Sequence, residues 1–305
     1  MLGYIIRRLL QVIPVLWLVA TSTFFLMHAA PGGPFDSERQ ISAEIQANIN
    51  ARYHLDEPLG KQYLRYLQML ASGDLGPSFR YADRSVNEII ATTFPVSAMV
   101  GLIGLFFALS IGLSTGIFAA SKLNSWRDYS AMLLALLGIS LPSFVVGPLM
   151  ILLFSIKLGW FSVSGYNRLQ DLLLPGLTMG IMYAAFFARL TRGGISEIIR
   201  QDFIRTAKAK GLSNTVIMLR HTLKGGLLPA TSFLGPAATA MLTGSLVVET
   251  IFNLPGLGRF FVQSALNRDY TLVMGCVLFL AVLIVIMNLL VDLAYAFLDP
   301  RVTYD

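Results

Sequence analysis

Phosphate chemistry would need a glycine loop closing on Lys and Ser or Thr, because backbone amides and a lysine must cradle the anion. No Gly-x-x-x-x-Gly-Lys-Ser/Thr occurs in the sequence. His-Glu-x-x-His, which sets two zinc ligands on one helix face, is also missing. The histidines His28, His54 and His221 stand far apart in the chain. Cys276 is the sole cysteine, so neither an intrachain disulfide nor a thiolate cluster can form. No catalytic residue and no metal site are expected.

The elements that would position any such group are apolar. Hydrophobic residues make up 55% of the chain and charged residues 13%, and the mean hydropathy is +0.67, more than a soluble core requires. Asp, Glu, Lys and Arg are absent between Arg8 and Asp36, Glu88 and Lys122, Asp128 and Lys157, Asp171 and Arg189, Lys224 and Glu249, and Asp269 and Asp292. Crossing a bilayer takes about 20 apolar helical residues. The runs predict six spans, near Leu9 to Ala30, Phe94 to Ala120, Tyr129 to Ile156, Leu172 to Ala188, Leu227 to Val248 and Leu272 to Val291. They are continuous rather than alternating, so helices are expected and not a β-barrel. The first run exceeds a usual signal-peptide core and is read as a retained anchor. Ion-coupled carriers keep ionisable groups at mid-membrane, and these spans have none, which disfavours a secondary transporter. Energy should therefore arrive from outside the chain.

The net charge of +6 follows from topology rather than from nucleic acid. With the N-terminus inside, 13 of the 23 Lys and Arg fall on the inner side, most of them between Arg189 and Lys224. Both termini are then cytoplasmic. Three regions are predicted: residues 1–30 as the N-terminal end and first span, 31–93 as an external helical cap, and 94–305 as a five-span core with inner helices at 189–224. In the cap, Pro31-Gly32-Gly33-Pro34 breaks the first span. Ser42 caps a helix through Tyr53, Pro58 opens another, and Ser85 to Glu88 has capping-box spacing. In the inner loop, Asp202 caps a helix from Phe203 to Lys210, Gly211 takes a left-handed ending, and Ser213 caps a second helix through Leu223.

At this point the chain resembles a known family. Met1 to Leu10 with Ala30-Pro31-Gly32, the run Phe203-Ile204-Arg205-Thr206-Ala207-Lys208-Ala209-Lys210-Gly211-Leu212, and Leu219-Arg220-His221 are similar to blocks of the B-type permeases of oligopeptide, dipeptide and nickel ATP-binding-cassette importers. So are Gly76-Pro77-Ser78-Phe79, Leu141 to Val146, Val248 to Phe252 with Leu254 to Gly258, Ala265 to Tyr270, Asp292 to Tyr295 and Leu298 to Arg301. Tyr53-His54-Leu55-Asp56 and the long external segment point to the oligopeptide branch. Arg205-Thr206-Ala207 replaces the broader importers' Glu-Ala-Ala, and Leu228-Pro229 comes later than in the general pattern. Both departures are usual in the peptide branch.

The resemblance implies an all-α type I (MetI-like) permease fold in a bacterial inner membrane. It implies a homologous C-type permease, two ABC ATPase subunits that bind ATP and Mg, a peptide-binding protein and a peptide cargo; this chain would bind no cofactor. Dipeptide, glutathione or nickel import is the alternative. Phe203, Arg205, Thr206, Ala207, Lys208, Gly211 and Arg220 would couple to the ATPases, with Ala207 allowing close approach; a plain basic loop is the alternative. Ser232, Gly235, Thr239 and Thr243 form a small polar stripe read as helix packing or as pathway lining. Glu249, Phe252, Pro255, Gly256, Gly258, Asn267, Arg268 and Asp269 would form an outer gate or dock the binding protein. That reading rests on Phe252, Leu254, Leu257, Phe260 and Phe261 being exposed to water.

Overall fold

The computed structural model describes residues 2–29, 54–81 and 83–298, with side chains placed for 10–29, 54–81 and 83–290. The expected helix from Ser42 to Tyr53, the Pro31 to Pro34 break and the Asp299 to Arg301 motif lie outside the described residues. Among those described, the regular elements are helical and Pro77 with Ser85 makes an isolated antiparallel bridge.

One compact unit comprises residues 2–93 and 260–282. Its α1 (Leu2–Ala29) is apolar enough to span from Leu10. Pro58 stands at the start of α2 (Leu59–Ala71), as expected, since proline's missing N–H costs nothing there. Tyr63, Tyr66, Leu67 and Leu70 of α2 pack against Ala20 and Phe24 of α1 and against Tyr270 and Met274. The helix α3 (Val86–Ala120) opens with the expected capping box. The Ser85 N–H donates to Glu88 Oε2 at 3.1 Å and the Glu88 N–H to Ser85 Oγ at 3.2 Å.

The second unit comprises residues 94–259 and 283–305. After α3 come α4 (Trp126–Ser140) and α5 (Ser143–Met150), the latter prolonged by a π-helical turn, Ile151–Lys157. The sequence predicts one straight span from Tyr129 to Ile156; the structure bends it by 102° between Ser140 and Ser143. Pro142 is the cause. It lacks an amide and pushes Leu141 out of the helical region, to φ −85° and ψ 116°. A 3₁₀ turn, Leu169–Leu172, leads into α6 (Leu173–Ile198). There follow α7 (Asp202–Ala209), α8 (214–226, π-helical over Ile217–Thr222), α9 (Leu228–Leu242), α10 (Leu246–Ile251), α11 (Leu257–Leu266) and α12 (Tyr270–Leu298).

Among the described residues, five helices are long and apolar enough to cross a membrane, or six if the bent pair counts as one. Helix packing decides the count. A Cβ at Gly180 would stand 2.7 Å from the Gly104 carbonyl oxygen, one at Gly112 2.6 Å from that of Ala184, and one at Gly116 2.7 Å from that of Ala188. Small residues every four positions thus bring the backbones of α3 and α6 together, as in membrane helix pairs without bulky knobs. Residue numbers rise together on both helices, so the two run parallel. The chain between them must then cross back once, and the bent α4–α5 pair is that crossing. Six spans result among the described residues.

Candidate functional site

Residues 202–226 form the helix–elbow–helix that the inner-loop sequence predicts. Gly211 has φ +78°, a left-handed conformation with no atom within 4 Å of the absent Cβ. The Gly211 N–H donates to the Lys208 carbonyl at 3.0 Å and the Leu212 N–H to that of Ala207 at 3.3 Å, closing α7. Ser213 caps α8, its Oγ accepting from the Val216 N–H at 3.4 Å. Two details differ from expectation. The helix begins at Asp202 with Gln201 in the cap position, and Asp202 instead pairs with Arg205 at 3.2 Å. Ala207 does not reach outward: it is 6% exposed and packs with Ile204 and Ile217, because it lies on the apolar face that anchors α7 to α8. Phe203 is 46% exposed, and Arg205, Thr206, Lys208, Gly211 and Arg220 are exposed as well.

The stripe on α9 divides. Ser232 is exposed together with Pro236 and Ala240, at successive intervals of four residues. Gly235 and Thr239 are buried and Thr243 is half-buried, which places them against neighbouring helices. The stripe lies about a sixth of a helical turn off the open face, since α9 follows its own packing rather than the polarity of its side chains.

The segment after α9 reverses one expectation. Phe252, Leu254 and Leu257 are buried, and Glu249 is 1% exposed. Glu249 Oε1 accepts from Ser97 Oγ of α3 at 2.6 Å, and Oε2 accepts from the Arg259 N–H at 2.7 Å. Ser97 Oγ in turn accepts from the Leu257 N–H at 2.8 Å. A Cβ at Gly256 or Gly244 would collide with the Glu249 carboxylate, and one at Gly258 would lie 3.2 Å from it. The glycines are therefore a cradle for a buried carboxylate at the N-terminal amides of α11. Pro255 is exposed. Sequence reasoning missed Ser97 and Gly244; the pairing of Glu249 with a Gly-x-Gly seven residues on was the available signal.

Asp269 is buried in the other unit and joins two motifs that the sequence keeps apart. Its carboxylate accepts from Ser78 Oγ in a short contact, from the N–H groups of Phe79 at 3.1 Å and Arg80 at 3.2 Å, and from the Leu272 N–H at 3.2 Å. Thr271 Oγ1 donates to the Pro77 carbonyl at 2.6 Å. Asn267 is exposed and Arg268 turns the chain at φ +56°. Both motif acids thus act as caps for folded loops.

A further group escaped the sequence reading altogether. Arg192 of α6 grips Asp128 of α4 through two bonds, Nε to Oδ1 at 3.0 Å and Nη2 to Oδ2 at 2.8 Å. The Asp128 side chain is only 2% exposed, and its Oδ2 also takes the Asn124 N–H at 3.0 Å. The 64 residues between the partners hid the pair. Gly112-Leu113-Ser114-Thr115-Gly116 carries the Gly-x-Ser-x-Gly spacing of a nucleophile elbow. It lies inside continuous α3, where both glycines serve the contact with α6. Among the described residues, no group of three His, Cys, Asp or Glu could hold a metal ion.

The comparisons with known proteins agree with these blocks. Residues 112–304 match the family described as binding-protein-dependent transport system inner membrane component, and residues 1–100 match the N-terminal region of such membrane components. The chain is 47% identical over its whole length, and over all of the relative, to the oligopeptide transport system permease protein OppB of Haemophilus influenzae. It is 41% identical to the dipeptide transport system permease protein DppB of Bacillus subtilis, over 99% of this chain and 98% of that one. An inward-facing structure of the MetNI methionine ABC transporter aligns with a TM-score of 0.56 at 16% identity, covering 69% of this chain and 96% of its own, a likeness of fold. With six spans in the permease fold and matches from end to end, the chain belongs to the inner-membrane component family of binding-protein-dependent transport systems.

Proposed function

We propose that this chain is a pore-forming permease subunit of an ATP-driven oligopeptide importer in a bacterial inner membrane. What carries the peptide assignment is identity along the full chain: 47% to an oligopeptide permease against 41% to a dipeptide permease. The chain works beside a homologous permease subunit, two ATPase subunits that bind ATP and Mg, and a peptide-binding protein. Both termini are cytoplasmic, an orientation supported by the 13 of 23 Lys and Arg assigned to one side.

The coupling surface is the outer face of 202–226, with Phe203 as its protruding apolar group and Arg205, Lys208 and Arg220 as its charges. Closure of the ATPases favours one permease conformation only if this surface contacts them differently in the two states. Ser232, Pro236 and Ala240 supply the open face of α9 to the pathway, while Gly235, Thr239 and Thr243 hold the helix in place. Glu249, Phe252, Gly256 and Gly258 form the rigid base of an outer gate whose reachable surface is Pro255; in the other unit, Asn267 and Arg268, on a loop fixed by Asp269, are the surface for docking the binding protein.

Reconstituted vesicles holding the whole transporter test this. Phe203→Ala should leave assembly of the membrane subunits unchanged while peptide-stimulated ATP hydrolysis and tri- to pentapeptide uptake fall together. Normal uptake by Phe203→Ala would remove the coupling assignment. Intact oligopeptide uptake without this chain, with nickel or glutathione uptake lost, would remove the substrate assignment.

A further inference from the structure

A cavity of about 140 Å³ lies within the unit formed by 2–93 and 260–282. Its walls include Phe24, Met69, Phe79, Tyr270 and Met274. An apolar cavity on the order of 150 Å³ takes a benzene-sized group, so the space suits one aromatic or branched side chain.

Two donors give this cavity a chemical demand. Among the described residues, the hydroxyl of Tyr66, a residue 7% exposed that lines the cavity, is buried without a hydrogen-bond partner, and so is Nη1 of Arg65, which also lines it. Native proteins rarely leave a buried phenol unpaired. The other polar groups are already engaged. Arg65 Nη2 meets Glu57 Oε1 at 2.9 Å, and Gln62 Nε2 donates to the carbonyls of Leu55 and Glu57 at 3.1 Å and 2.8 Å. His28 Nε2 lies 3.3 Å from Gln62 Oε1, and His54 Nδ1 3.5 Å from Glu57 Oε1. Among the described residues, no oxygen accepts from the Tyr66 hydroxyl or from Arg65 Nη1. Burial, with Tyr63 adding to it, already pushes the Tyr66 phenol up to about 12, so it stays a donor at any physiological pH.

We infer that this cavity is a binding subsite for an apolar amino-acid residue, its side chain among Phe24, Phe79, Tyr270 and Met274 and its carbonyl or carboxylate oxygen on Tyr66 and Arg65. The choice of a peptide group over another amphiphile rests on the proposed peptide function; the cavity and its unmet donors do not.

Binding is measured on the assembled transporter in nanodiscs by saturation-transfer NMR, with N-acetyl-L-phenylalanine as probe and toluene as the acceptor-free control. Tyr66→Phe keeps the ring and removes the donor. It should weaken N-acetyl-L-phenylalanine about tenfold and leave toluene unchanged, since a hydrogen bond to a charged acceptor is worth that much. Met274→Trp fills the space and should abolish both. Equal binding of N-acetyl-L-phenylalanine by wild type and Tyr66→Phe overturns the inference, as does a wild type that binds neither probe and so holds only water. Uptake of a hydrophilic tripeptide, measured on the same preparations, tests the peptide function separately: uptake without probe binding sinks the subsite alone.

Discussion

At the scale of single residues, Glu249 and Ala207 change meaning once their surroundings are known. A buried carboxylate with Ser97 Oγ and the Arg259 N–H as donors leaves both unsatisfied when it is removed. Glu249→Ala should therefore cost about 1–3 kcal/mol for each orphaned donor, while Glu249→Gln, which keeps an acceptor oxygen, should lose less. Gly256→Ala should resemble Glu249→Ala, because its methyl displaces the same carboxylate. Thermal unfolding of the purified transporter ranks the three, and a stable Gly256→Ala would show that the cradle is loose. Ala207 is buried against Ile204 and Ile217, so Ala207→Trp overpacks the joint of α7 and α8 by about 1–3 kcal/mol. It should lower yield and stability, whereas the exposed Phe203→Ala should not. Gly211→Ala adds strain of about 1 kcal/mol at φ +78° without any steric clash, and should partly uncouple ATP hydrolysis from uptake.

At the scale of elements, backbone proximity and one ion pair hold the helices. Gly112→Leu forces α3 away from the Ala184 carbonyl and should abolish folding or membrane assembly, while a leucine at the exposed Ser114 two residues on should be tolerated. Blue-native gels of the two variants decide between packing and plain hydrophobicity. The Asp128–Arg192 pair joins α4 to α6 beside the coupling segment. Removing Arg192 alone leaves a buried carboxylate unpaired, which typically costs about 3–5 kcal/mol, so Arg192→Ala should be worse than Asp128→Asn/Arg192→Gln. Equal stabilities would mean that water solvates Asp128 once the arginine is gone.

At the scale of the molecule, the parallel run of α3 and α6 makes the number of crossings testable. In a Cys276→Ser background, cysteines placed at Lys122 and Lys210 should react with a membrane-impermeant maleimide only after permeabilisation. Cysteines at Arg168 and Asn267 should react in intact cells. Labelling of 122 and 168 from the same side would break the single crossing by α4–α5.

Much of this molecule was legible in its sequence, for reasons that belong to the bilayer. Charge is so costly in hydrocarbon that charge-free runs mark the spans, and helix ends need caps and left-handed glycines, which is why Ser85, Gly211 and Ser213 were placed correctly. Pro142 was visible but its 102° bend was not, because a proline in a span kinks by an amount its neighbours set. Which face of α9 stays open, and that Glu249 turns inward, are decided by where α3, α6 and α10 lie. A helix period alone names every face equally. The contacts of Ser97 with Glu249, Ser78 with Asp269 and Asp128 with Arg192 join residues 152, 191 and 64 positions apart, and no local pattern encodes such pairs. Local chemistry determined the elements, and only packing, which satisfies buried polar groups and lets glycine backbones meet, decided which residues share a site.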